Sequence, residues 1–108
     1  MYRDISSTEQ HAARQLIDDI LARGLSVSVA DEENGWLLKR SRDASAILDA
    51  IGEMEADMLR LRDAATGERC GSLFLVWGNS AAELIADYGM TPTTEAIYTA
   101  HEARHPLI

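Results

Sequence analysis

The spacing of apolar residues changes period at Gly24, and that change confines the chain to folds in which a helix packs on a sheet. Upstream, Ala13, Leu16, Ile17, Ile20 and Leu21 recur at helical spacing and form one apolar stripe. Ser6 followed by Glu9 is a capping-box pattern, with Ser7 and Gln10 as a second register, and Gly24 stands where a left-handed cap would end the helix. The spacing predicts a helix from about residue 8 to 23. Immediately downstream, Leu25, Val27 and Val29 alternate with Ser26, Ser28 and Ala30, the period of a half-buried strand. Asn34-Gly35 is a hairpin turn signal, and Trp36 to Arg40 is the return strand.

Ser41 or Asp43 can cap a second helix that carries Ala44, Ile47, Leu48 and Ile51 inward. Beyond Gly52 two patterns compete. Ile47, Ile51, Met54, Met58 and Leu61 suit one long helix, whereas Leu59-Arg-Leu-Arg-Asp63 alternates and Ala64 to Gly67 has the composition of a turn. The favoured reading ends the helix near Gly52 and places a hairpin of strands at 58–63 and 69–77. Residues 81–88 fit a short helix or a fifth strand equally. Thr91-Pro92-Thr93 starts a last helix whose expected buried face is Ala96, Ile97, Ala100 and Ala103. The expected fold is α+β: an antiparallel sheet of four or five strands with N-terminal, central and C-terminal helices packed on it. Residues 1–108 are expected to form a single domain, with 1–6 a loose arm and 106–108 a loose tail.

Composition narrows the function classes. Eighteen acids against ten bases give a net charge of −8, which repels phosphates and disfavours direct DNA or RNA binding. No run approaches the roughly 20 apolar residues of a membrane helix, so no membrane partner is expected. The first residues lack the apolar segment of a signal peptide, and the single cysteine, Cys70, excludes an internal disulfide and a multi-cysteine zinc site. These features point to a reducing cytoplasm. The glycines are scattered at turns in neither dinucleotide-binding nor P-loop order, so no nucleotide cofactor is expected.

Three groups of residues could carry function. His101-Glu102-Ala103-Arg104-His105 matches the H-E-x-x-H zinc signature, in which histidines at i and i+4 grip the metal and the Glu polarises a water. It lacks a third ligand downstream, and Pro106 biases His105 out of helical geometry. Expectation therefore assigns no metal, and a metal-dependent enzyme using His101, Glu102 and His105 is the alternative reading. Cys70 between Arg69 and Gly71 lacks a neighbouring base and fits a small strand residue. The basic residues are dispersed: Lys39, Arg40 and Arg42 cluster weakly, Arg60 and Arg62 would share a strand face, and ion pairing with nearby acids is their expected fate. The third group is acidic. Asp43, Asp49, Glu53, Glu55 and Asp57 occupy a stretch with no compensating base, and Asp31, Glu32 and Glu33 at the hairpin tip add to it. Carboxylates so spaced could imitate a phosphate track and occupy a basic groove.

Phe74-Leu-Val-Trp-Gly-Asn79 followed by Glu83-Leu-Ile-Ala-Asp-Tyr88 resembles a group of small α-proteobacterial and phage-borne proteins with a Val-x-Gly-Asn strand end and an Ile-x-Asp-Tyr element. Val76, Gly78, Asn79, Ile85, Asp87 and Tyr88 carry the likeness. Members often have Asp after the Gly-Asn pair, where Ser80 stands here. The resemblance transfers no catalytic residue. It implies a tight turn at Gly78-Asn79, with Asp87 and Tyr88 tying the next element to it. By class, size and acidity also look like anti-CRISPR proteins and other phage inhibitors. The expected function is thus a small acidic inhibitor or regulator that binds a protein or ribonucleoprotein complex with a basic surface, without contacting nucleic acid directly. A homodimer with incidental charge is a further possibility.

Overall fold

The structure, a computed structural model, describes residues 5–31 and 35–106. The element order is α1 (Ser7–Ala22), β1 (Leu25–Asp31), β2 (Gly35–Ser41), α2 (Ala44–Ala50), β3 (Ala56–Asp63), β4 (Arg69–Val76), β5 (Ile85–Tyr88) and α3 (Pro92–Arg104). The strands form one antiparallel sheet in the order β2-β1-β3-β4-β5. This is the expected α+β architecture, with five strands. No helix among the described residues is long and apolar enough to cross a membrane.

The helices lie on one face of the sheet. α1 buries Ala13, Leu16, Ile17 and Ile20 of the stripe read from the sequence, together with Ala12, against Leu25, Val27 and Val29 of β1 and Leu59 and Leu61 of β3, while Leu21 of that stripe is partly buried. α2 adds Ile47, α3 adds Ile97, and β4 adds Leu73 and Leu75 to the same core. Of the expected arm at 1–6 and tail at 106–108, residues 1–4 and 107–108 lie outside the described residues; Ile5 is 7% exposed, and Ser6 caps α1 by accepting from the Glu9 amide.

Asp43, not Ser41, caps α2, accepting from the Ser45 and Ala46 amides. The long-helix pattern running to Leu61 is not used. The chain leaves α2 after Ala50, and strand alternation then sends Asp57, Leu59 and Leu61 inward together. Residues 82–84 turn, and β5 begins only at Ile85, so the undecided segment is half turn and half strand.

The last helix differs from its expected face. Thr94, Ile97 and His101 are buried, while Ala96 and Ala103 are exposed. Its orientation is set by a close approach at Gly71, whose φ is +133° and where an added Cβ would stand 2.5 Å from the Thr94 methyl. Thr91 caps the helix and donates to the Cys70 carbonyl at 2.7 Å, fixing the helix start on β4.

Candidate functional site

Strand alternation gives the sheet a second face, which no described element covers. Pairing assigns its residues: Ser26 opposite Arg62, Ser28 opposite Arg60, Met58 opposite Phe74 and Phe74 opposite Asp87. Trp36 joins from β2, paired with Ala30, and Arg69 of β4 pairs with Arg62. A depression of about 140 Å³ is lined by Ser28, Trp36, Lys39, Arg40, Arg60 and Arg62. Lys39, Arg40, Arg60, Arg62 and Arg69, half of the ten basic residues, therefore share one side of the molecule.

Among the described residues no carboxylate forms an ion pair with any of these cations. Arg60 lies over the Trp36 ring, 4.7 Å from its centroid, and its Nε is buried without an acceptor. Burial, followed by the charges of Arg69 and Arg62, lowers the Arg60 pKa, although a guanidinium stays protonated. Arg62 donates to the Gly67 carbonyl at 2.9 Å. Arg40 adopts a φ of +48° at an irregularity of β2, where its amide donates to the Ser28 hydroxyl at 2.9 Å. Arg42 acts elsewhere. Its guanidinium donates to the Leu21 and Leu25 carbonyls and ties the end of α1 to the start of α2.

The structure divides the acidic group. Asp49, Glu53 and Glu55 are exposed on α2 and the segment after it. Met54 between the two glutamates is 69% exposed. Asp43 is spent on the α2 cap at the opposite end of that helix. Asp57 corrects the expectation of a surface carboxylate. It is 6% exposed, and its Oδ2 accepts from Trp77 Nε1 and the Gly52 amide, each at 2.8 Å. Strand period places position 57 on the core face, with Leu59 and Leu61. Asp31 ends β1, at the same end of the sheet as Glu55, while Glu32 and Glu33 lie outside the described residues.

The signature around Gly78 serves a structural purpose, with partners other than those expected. Gly78 has a φ of +91°, and its amide donates to Glu9 Oε2 of α1 at 2.8 Å. Glu9 is buried, so one carboxylate joins the first helix to the end of β4. Tyr88 does not tie β5 to that turn; it stacks on Tyr98 of α3 with ring centroids 4.8 Å apart. Asp87 is exposed, and its Oδ1 accepts from the Tyr88 amide.

The H-E-x-x-H histidines face inward and are held by protein groups. His101 is fully buried and its Nε2–H donates to the Ala81 carbonyl at 2.8 Å, leaving Nδ1 buried without a partner. His105 Nε2 donates to Gln15 Oε1 at 2.9 Å. Burial lowers the pKa of both imidazoles, and the nearby Arg104 guanidinium pushes in the same direction. Both are therefore neutral tethers between α3 and its surroundings. Among the described residues no three His, Cys, Asp or Glu side chains are grouped to hold a metal. Cys70 is half-buried with its Sγ against the Glu68 carbonyl. The open basic face was missed in the sequence because its members come from three strands. The available signal was the polar i, i+2 set of β3, Arg60 and Arg62, facing Ser26 and Ser28. Comparison with protein-family models, curated proteins and solved structures finds no match to the chain.

Proposed function

We propose that the protein is a small acidic binding protein of the inhibitor or regulator type. Its helix-side carboxylates dock on a basic surface of a larger protein or ribonucleoprotein complex that handles nucleic acid. The observation that carries this is the segregation of charge. With half of the bases on the open sheet face, the helix side keeps Asp18, Asp49, Glu53, Glu55, Glu95 and Glu102 exposed against few cations, and is more acidic than the net charge of −8 implies. Met54, projecting between Glu53 and Glu55, supplies the apolar anchor that charge alone lacks. The mode is that of a phosphate mimic, in which carboxylates steer the encounter and an apolar contact slows dissociation. A phage or mobile-element setting, of the kind occupied by anti-CRISPR proteins, suits such an activity, and a single unpaired cysteine suits a reducing cytoplasm.

The test is affinity capture from host extract with the wild-type chain and with Glu53→Lys combined with Glu55→Lys. The wild type should retain a basic nucleic-acid-binding protein that added nucleic acid displaces, and the charge-reversed chain should lose it by tenfold or more while keeping its circular dichroism. Retention of the same partner by both chains, or capture of no basic partner, sinks the proposal.

A further inference from the structure

We propose that the open sheet face is a second docking surface, for an acidic amphipathic helix of a partner protein. An apolar row crosses the strands of this face, and a cationic patch lies on one side of it. In the row, Trp36 and Ala30 pair on β2 and β1, and Met58 and Phe74 pair on β3 and β4, one step beyond the Val29–Leu59 pair. Phe74 is 41% exposed. The patch begins two residues along β3 from Met58, with Arg60 and then Arg62 on that strand and Arg69 opposite Arg62 on β4. Residues two apart on a strand are separated by about 6.6 Å, and four strands span roughly 14 Å. A helix of about ten residues is roughly 15 Å long and presents adjoining apolar and acidic stripes at a similar separation.

The electrostatics favour acceptors on the occupant. Arg62 faces Arg69 across neighbouring strands, and Arg60 lies two residues from Arg62 on β3, a like-charge cluster with no ion pair to a described carboxylate. Glutamates on a docked helix would relieve that repulsion. Asp87, opposite Phe74, is an exposed carboxylate on this face, at the β5 end of the apolar row. The acids on the outer helix surfaces stand on the order of 15 Å from the sheet, from layer spacing and helix radius, which is about two Debye lengths at physiological salt.

Single-stranded nucleic acid fits less well. Arg60 already covers one side of Trp36, which reduces its use as a base platform, and a strand longer than the face would run past it into the acidic helix side. Face-to-face pairing with a second copy would set arginine against arginine. A head-to-tail contact with another copy's acidic side would build rings or open chains.

Fluorescence anisotropy tests the proposal with a labelled synthetic amphipathic peptide of about twelve residues, leucines on one stripe and glutamates on the next. A scrambled peptide of the same composition and a thymidine oligonucleotide of similar length serve as comparisons. The wild type should bind the amphipathic peptide at least tenfold tighter than either comparison. Arg60→Glu with Arg62→Glu should reduce binding tenfold or more, Arg60→Gln and Phe74→Ser each severalfold, and Glu53→Lys with Glu55→Lys should leave it unchanged. That last variant separates this surface from the helix-side one, so either can fail alone. No binding by the wild type, tighter binding of the oligonucleotide, insensitivity to the Arg60 and Phe74 variants, or concentration-dependent self-association in light scattering that the Arg60 variant abolishes overturns it.

Discussion

The two faces of the sheet come from the same strands but satisfy their polar groups differently. On the helix-covered face the buried carboxylates and the buried imidazole are held by specific partners. Asp57 accepts from Trp77 and Gly52, Glu9 accepts from Gly78, and His101 donates to Ala81. Desolvation makes an unpaired group costly there. On the open face, residues one position away on the same strands are arginines without carboxylate partners among the described residues. Water can serve their exposed N–H groups, so the fold tolerates them without requiring them. Polar residues on the covered face are thus explained by the fold, and the arginine array is not. Function is to be sought where the fold leaves charge unexplained.

The sharpest contrast between the faces lies along β3, where neighbours belong to opposite sides. Leu61→Ala should cost about 2–5 kcal/mol by opening a cavity in the core, whereas Arg60→Ala should change stability by no more than about 1 kcal/mol either way. Urea unfolding of the two variants measures the contrast, and equal losses would mean that the open face is also structural. Next in size, Asp57→Ala leaves Trp77 Nε1 and the Gly52 amide without their acceptor and should cost roughly 1–3 kcal/mol. Asp57→Asn, which keeps an acceptor oxygen, should recover part of that. A wild-type midpoint in Asp57→Ala would return this residue to the surface carboxylates.

The smallest effect concerns pH. Burial holds the folded-state pKa of His101 below the ordinary histidine value, and protonating Nδ1 would place a charge where no acceptor faces it. The unfolded chain takes up that proton near pH ~6.5. Stability should therefore be complete above that pH and fall as pH drops toward the folded value, by at most about 1.4 kcal/mol per pH unit for one group. His105 shifts in the same direction and adds to the slope. Unfolding midpoints compared at about pH 7.5 and about pH 5 should show the loss, and His101→Gln should flatten it. An unchanged slope in that variant would mean that His101 is open to solvent.

Much of the fold was legible because it rests on local period. The α1 stripe, the β1 alternation and the turn at Ala64–Gly67, where Asp63 accepts from the Ala65 and Thr66 amides, all appear in consecutive residues. The α3 face was misassigned because its alanines suited burial, whereas the helix is oriented by Thr94 seated on Gly71 and by His101 reaching Ala81. Neither contact has a local pattern. For the candidate sites, sequence proximity grouped Asp57 with Glu53 and Glu55, but entry into β3 turned it inward.

Residue identity and short spacing were enough to establish most element types, with residues 81–88 left open, the large acidic excess and the lack of a phosphate-binding glycine loop. Which charges stand together was settled by the packed chain. Strand pairing placed Arg60, Arg62 and Arg69 on the face that carries Trp36 and Phe74, and helix packing left Asp49, Glu53 and Glu55 on the other side. A sheet assembles its faces from residues far apart in the chain, so no local window contains them. Composition therefore reports the sum of the charge, and register decides its distribution.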